Sequence, residues 1–143
     1  MDEKRIVFLK NDYVQGFPAY CGFIVEKVEY GFFESRLTIR PEHKQQDGFV
    51  HAGVIATMAD HTAGYSAYTI VPENKRILTI EFKINYFKAA KGNEIICKSR
   101  VLSGGKNIIV SESEIYVKSD KKEILVSKAL VTLIAVLPSN HFD

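Results

Sequence analysis

The chain has 143 residues, 46% of them hydrophobic and 25% charged, with a formal net charge of +2. Such values describe an ordinary globular protein long enough to bury a core. The charge is too small, and lysine too interleaved with glutamate, for a nucleic-acid surface. No apolar window reaches membrane-spanning length and no secretory leader is visible, so a cytoplasmic protein with no membrane partner is expected.

In chain order, residues 1–20 are ambiguous between a short helix and a loop. Residues 23–30 and 33–40 alternate apolar and polar side chains on either side of Gly31 and predict a β-hairpin, stopped by Pro41. Residues 42–48 are polar and loop-like. A helix is expected from about Val50 to Tyr68, with Pro72 closing the region. Four strands follow, over residues 80–86, 95–102, 107–117 and 124–137, with Ser103-Gly104-Gly105-Lys106 a strong turn signal. The last strand is the most apolar and is expected to be central and buried on both faces. Cys21 and Cys97 have no metal-like spacing and are expected to be free thiols. No repeat or linker interrupts the pattern, so residues 1–143 are expected to form a single domain with its core at about 21–136. The order implies an α+β fold in which tight turns join the last four strands of an antiparallel sheet. The single long helix would bury Val50, Val54, Met58 and Tyr65 against a curved sheet. It covers only part of one face, so a second copy of the chain is expected on the remainder.

One residue of that helix stands apart. Asp60 lies in a run of Ala, Val, Ile, Met and Thr, although Asp has poor helix propensity and carboxylates are seldom buried unpaired. At 3.6 residues per turn its face is shared by Gly53, Ala56, Thr57, Ala63, Gly64 and Ala67, all small. The stripe serves either close packing or a substrate laid beside one reactive group. His51, nine residues earlier, is half a rotation away and about 13 Å along the axis, too far to pair with Asp60.

These residues carry a family resemblance. Gln45, Gly48, His51-Ala52-Gly53 and Asp60, followed by the run from Thr79 through Asn85-Tyr86-Phe87-Lys88-Ala89-Ala90-Lys91-Gly92, are similar to hotdog-fold thioesterases. The match is to the phenylacetate-pathway-like branch of the 4-hydroxybenzoyl-CoA thioesterase superfamily. There the pattern is usually Asn, Gly, His-Gly-Gly, then Asp nine residues after the His. The resemblance implies a hotdog fold, a curved antiparallel sheet around one long helix. It implies a homodimer paired edge to edge with sites at the interface, and a dimer of dimers, hence a homotetramer. The implied reaction is hydrolysis of an acyl- or aryl-CoA thioester. Asp60 would be general base or nucleophile. The Ala52 N–H would point at the thioester carbonyl with Gly53 keeping the approach open. Gln45 would hold the carbonyl or the attacking water from the partner chain, and Thr79 would hold the water. His51 would play a structural or ligand-orienting part, its ring bonding a nearby loop. Coenzyme A is part of the substrate, and no separate cofactor is implied.

The chemistry fits these residue types. A helix start offers unpaired N–H groups and positive potential to an oxyanion, and a carboxylate can activate water. Two departures, Ala52 for Gly and Gln45 for Asn, narrow the site and lengthen one side chain. Lys88, Lys91 and Lys106 flank strand ends near the implied entrance and are candidates for coenzyme A phosphate contacts, although each alone is better explained as an exposed lysine. His61 points away from Asp60 and suits packing or an interface. The four histidines, His43, His51, His61 and His141, show no metal spacing, and no Gly-x-Ser-x-Gly elbow or nucleotide loop is present. Two alternatives stand beside hydrolysis: a non-catalytic acyl-CoA binder and, less favoured, a hotdog dehydratase or hydratase.

Overall fold

A computed structural model describes residues 1–140; His141 lies outside the described residues. Two helices, α1 (Glu3–Tyr13) and α2 (Phe17–Cys21), open the chain. They are followed by the hairpin β1 (Ile24–Glu29) and β2 (Phe32–Thr38), a 3-10 turn at Pro41–His43 and the long helix α3 (Ala52–Tyr68). Strands β3 (Arg76–Tyr86), β4 (Glu94–Gly104), β5 (Ile108–Ser119) and β6 (Lys122–Val136) complete one six-stranded sheet in the order β1-β2-β4-β5-β6-β3, every pair antiparallel.

The helix dictates the shape of the sheet. α3 packs against β2, β3, β4, β5 and β6. Five strands span about 19 Å at the usual spacing of ~4.8 Å, whereas a helix with its side chains is only ~10–12 Å across. The sheet must therefore curve around α3, and the expected hotdog architecture is present. Its concave face supplies Phe33, Leu37, Ile95, Ile109, Ile115 and Leu133, all fully buried, against Met58, Ala59 and Ala63 of the helix.

Four expectations change. The ambiguous N-terminus is helical: Asp2 caps α1 by accepting the Arg5 N–H at 2.8 Å, and Leu9 and Tyr13 sink into the core four residues apart. The long helix begins at Ala52, because Val50 still donates its N–H to Ala90 O in extended backbone. β6 is central but not buried on both faces: Val126, Ala129, Val131 and Leu133 face α3, while Leu130 on the convex side is 49% exposed. A single helix fills only the concave side. Finally, no tight turn joins β3 to β4. The chain crosses the sheet end between them, held by Phe87 N to Val126 O, Val50 N to Ala90 O and Asn93 N to Lys118 O.

The buried face of α3 is also more polar than expected. Val50 precedes the helix and Val54 is only half-buried, while Met58 and Tyr65 are joined in the interior by Thr62 and Ser66. Thr62 bonds Tyr13 Oη (2.9 Å) and Ser35 Oγ (3.0 Å), Ser66 Oγ donates to Ser111 Oγ (3.0 Å), and Ser113 Oγ donates to the Ala59 carbonyl (2.6 Å). Cys21 and Cys97 are both free, as expected, and burial pushes the Cys97 thiol up to about 11.

The crossing depends on Gly92. A Cβ there would stand 2.5 Å from Val117 Cγ1 and 2.8 Å from the Lys118 carbonyl oxygen. Gly92→Ala should destabilise the protein by roughly 1–3 kcal/mol, the usual cost of overpacking, read as a lower urea midpoint.

Candidate active site

The start of α3 is built by a histidine cap. His51 has extended backbone, with φ −59° and ψ 135°, and its Nδ1 accepts the Gly53 N–H at 2.8 Å. The neutral ring then carries its proton on Nε2. A Cβ on Gly53 would come 2.9 Å from Nδ1. The His-x-Gly spacing is thus a steric partnership: the glycine makes room for the ring that caps it. The ring satisfies its own helix rather than a loop, and the loop contact is made instead by the His51 N–H on His43 O (2.8 Å). Val54 and Ile55 both direct their N–H groups at His51 O. Ala52 is left as the first-turn amide with no acceptor among the described residues. A free N–H at a helix start is an anion-seeking group.

A hollow of about 320 Å³ adjoins this amide, lined by Gln45, Phe49, Ala52, Tyr86 and Lys88 among others. Gln45 Oε1 accepts from the N–H groups of Asp47 (2.6 Å) and Phe49 (3.2 Å), so its carbonyl end shapes the turn and its NH₂ end remains for a ligand. Tyr86 Oη donates to the Ala52 carbonyl at 3.0 Å.

Asp60 lies in a second hollow of about 240 Å³, with Gly64, Tyr65, Tyr68 and Ile77 around it. It is half-buried, and Thr79 Oγ1 donates to Oδ1 at 2.7 Å. On its small-residue stripe, Thr57 spends its hydroxyl on Gly53 O (2.8 Å), Ala63 and Ala67 are buried, and Gly64 opens on the hollow. A further concavity of about 460 Å³ between Arg5, Phe8, Glu73 and Arg76 includes no residue of α3 and none of these groups.

One irregularity aligns both halves with the helix. Thr79 and Tyr86 are an odd number of residues apart on β3, so strict alternation would send them to opposite faces. A β-bulge between Thr79 and Glu81 shifts the phase, and Thr79 and Tyr86 pair with Leu133 and Ser127, both buried positions of the helix-facing side. Ile80 is turned out by the bulge and is 52% exposed. The resemblance gives Tyr86 no role, although its hydroxyl at the end of the Thr79–Tyr86 run is a signal readable in the sequence. Within one chain the halves stay apart: Ala52 and Asp60 are eight residues apart, about 12 Å along the axis.

The lysines also divide. Lys88 lines the Ala52 hollow, and Lys91 is exposed on the same crossing. Lys106 sits on the β4–β5 turn at the other end, where neighbouring Gly104 approaches Ile70 beyond the end of α3. His61 is packed as expected. Nε2 donates to the Tyr13 carbonyl at 2.9 Å and the ring lies 4.3 Å from that of Tyr13.

The model of the Thioesterase superfamily matches residues 47–124, and the chain belongs to that family. A protein from Saccharolobus solfataricus that carries an esterase name is 28% identical over 85% of this chain and 78% of its own. The crystal structure of a thioesterase family protein from Silicibacter pomeroyi superposes with a TM-score of 0.90 at 26% identity, over 93% of this chain and 98% of that one. A conserved protein from Pseudomonas aeruginosa gives 0.80 at 26% identity, over 89% and 98%. No helix among the described residues is long and apolar enough to cross a membrane.

Two outcomes follow. His51→Ala should cost roughly 0.5–2 kcal/mol, the range for losing an N-cap, and His51→Asn should recover most of it, as measured by chemical denaturation. Burial lowers the pKa of His61 from its ordinary 6.5, so protonation favours the unfolded chain. Its contribution is full above about pH 6.5 and is lost as the pH falls from there toward the folded-state value. The thermal midpoint should fall more steeply between pH 7 and 5 in the wild type than in His61→Gln.

Proposed function

We propose that this protein hydrolyses acyl-CoA thioesters in a site shared by two copies of the chain. The carrying observation is the pair of groups left open on α3: the unpaired Ala52 N–H and the Thr79-held Asp60 carboxylate. Each opens on a hollow, and the helix holds them too far apart to serve one carbonyl. A second chain resolves this. β3 is an edge strand whose outward-turned Ile80 is exposed, as is Phe82 on the helix-facing side beside Val131. An antiparallel copy along that edge would set Thr79 of one chain near Tyr86 of the other. Asp60 would then face the partner subunit's Ala52, with the partner subunit's Gln45 beside it.

In such a site Asp60 takes a proton from water that Thr79 helps to place, and the oxygen bonds to the thioester carbon. The carbonyl oxygen gains charge against the Ala52 N–H. The intermediate collapses with cleavage of the C–S bond, and the thiolate of coenzyme A takes the proton, leaving the free acid. Lys88, which lines the Ala52 hollow, would meet coenzyme A phosphate. Membership of the thioesterase superfamily supports thioester hydrolysis, and the Lys88 hollow supports coenzyme A as carrier. Non-catalytic binding is the second reading, favoured by the Ala52 methyl beside the N–H that would meet the oxyanion.

Release of free thiol from a panel of acyl-CoAs tests this. Asp60→Asn should lower turnover at least a hundredfold. Ala52→Pro removes the N–H at a position where proline is accepted, and His51 already has the extended backbone a following proline requires. It should lower kcat by the 10²–10³-fold typical of losing one oxyanion donor. Equal turnover by wild type and Asp60→Asn would refute the mechanism, and tight binding without turnover would favour the binder.

A further inference from the structure

The family match begins at residue 47, so α1 lies outside it. Yet α1 bonds the α3 residues that wall the Asp60 hollow. Tyr65 Oη donates to Asp12 Oδ2 at 2.8 Å, His61 Nε2 donates to the Tyr13 carbonyl at 2.9 Å, and the Arg5 guanidinium donates to the Tyr68 carbonyl at 3.1 Å. His61, Tyr65 and Tyr68 all border that hollow, and no other element holds them by side-chain hydrogen bonds among the described residues.

We propose that α1 is the specificity element of the Asp60 site: Asp12 and Tyr13 position the wall of an acyl-binding groove whose floor is Gly64. This rests on the thioesterase reading above. The groove runs from Asp60 past Gly64, one turn on, to Tyr68, two turns on and about 12 Å away. Apart from Ala63, Tyr65 and the helix's own backbone, no atom of the chain lies within 4 Å of the place a Cβ on Gly64 would occupy, so the floor is open on the side where a substrate would lie. Tyr65 is 7% exposed and its ring sits 5.0 Å from that of Tyr13 and 5.1 Å from that of Tyr68. The ring is thereby packed by two other rings, and the Asp12 carboxylate fastens its hydroxyl end. One chain's share of the hollow is about 240 Å³, more than the roughly 150 Å³ of an enclosed cavity that takes one benzene, which suits a compact acyl group of about one ring with its linker. A long straight chain overruns it at Tyr68. Asp12 touches no substrate in this arrangement and is a positioning residue.

The test is binding of hydrolysis-resistant thioether ketones, S-phenacyl-CoA as the compact probe and S-(2-oxododecyl)-CoA as the long one, by titration calorimetry on the full chain. The wild type should prefer the compact probe at least tenfold. Asp12→Ala should shrink that preference at least fivefold, and Asp12→Asn, which keeps an acceptor for the Tyr65 hydroxyl, should restore it. Gly64→Leu, filling the floor, should weaken the compact probe at least tenfold without relying on α1. A wild type that binds both probes equally, an Asp12→Ala preference within twofold of wild type, or unchanged binding by Gly64→Leu would overturn the proposal. Because the readout is binding, a wild type that binds the probes but hydrolyses no acyl-CoA would count against hydrolysis alone and leave this test standing.

Discussion

An α-helix is a rigid rod, and everything proposed for this protein turns on where one rod places two groups. Ala52 N–H and Asp60 sit on α3 with about 12 Å between them along the axis. The edge strand β3 fastens to the helix at both places, through Tyr86 on the Ala52 carbonyl and Thr79 on the Asp60 carboxylate. The bulge between Thr79 and Glu81 makes both contacts possible from one strand. An edge strand that reaches the helix at two points, with unpaired backbone along its other side, is a natural seam for a second copy.

The same helix is held in its sheet less by apolar bulk than by small residues and hydroxyls. Ala59, Ala63 and Ala67 let the sheet approach closely, and Thr62 and Ser66 meet serines of β2 and β5. Each such bond contributes about 1 kcal/mol net, but a buried hydroxyl without its partner costs more than the bond returns. The network therefore sets the rotation of α3 about its axis. That rotation decides which residues face the hollows and which face the sheet.

Much of this was legible in the residues. Asp60 was conspicuous because a carboxylate in an apolar helix conflicts with local propensity, and such conflicts concentrate at sites. The alternation in residues 33–39 correctly turned Phe33, Ser35 and Leu37 inward. Three things were hidden for physical reasons. The displacement of β3 to the far edge is a long-range pairing with no local signal. The polar interior was disguised, because Ser111 and Ser113 look like outward positions until their partners on α3 are known. α1 carries Val7 and Phe8 on its exposed side and buries Arg5, which blurs its amphipathic period, so its part beside the Asp60 hollow could not be seen from pattern alone.

The central claim is that a working site needs two chains, and mixing tests it most directly. Chains bearing Asp60→Asn are combined with chains bearing Ala52→Pro after reversible unfolding, each variant being nearly inactive by itself. A mixed dimer holds one site with an intact Asp60 from one chain and an intact Ala52 N–H from the other. The account predicts that thioester hydrolysis returns on mixing, toward one quarter of the wild-type level for random pairing. A mixture that forms mixed dimers and stays as inactive as its components would contradict it.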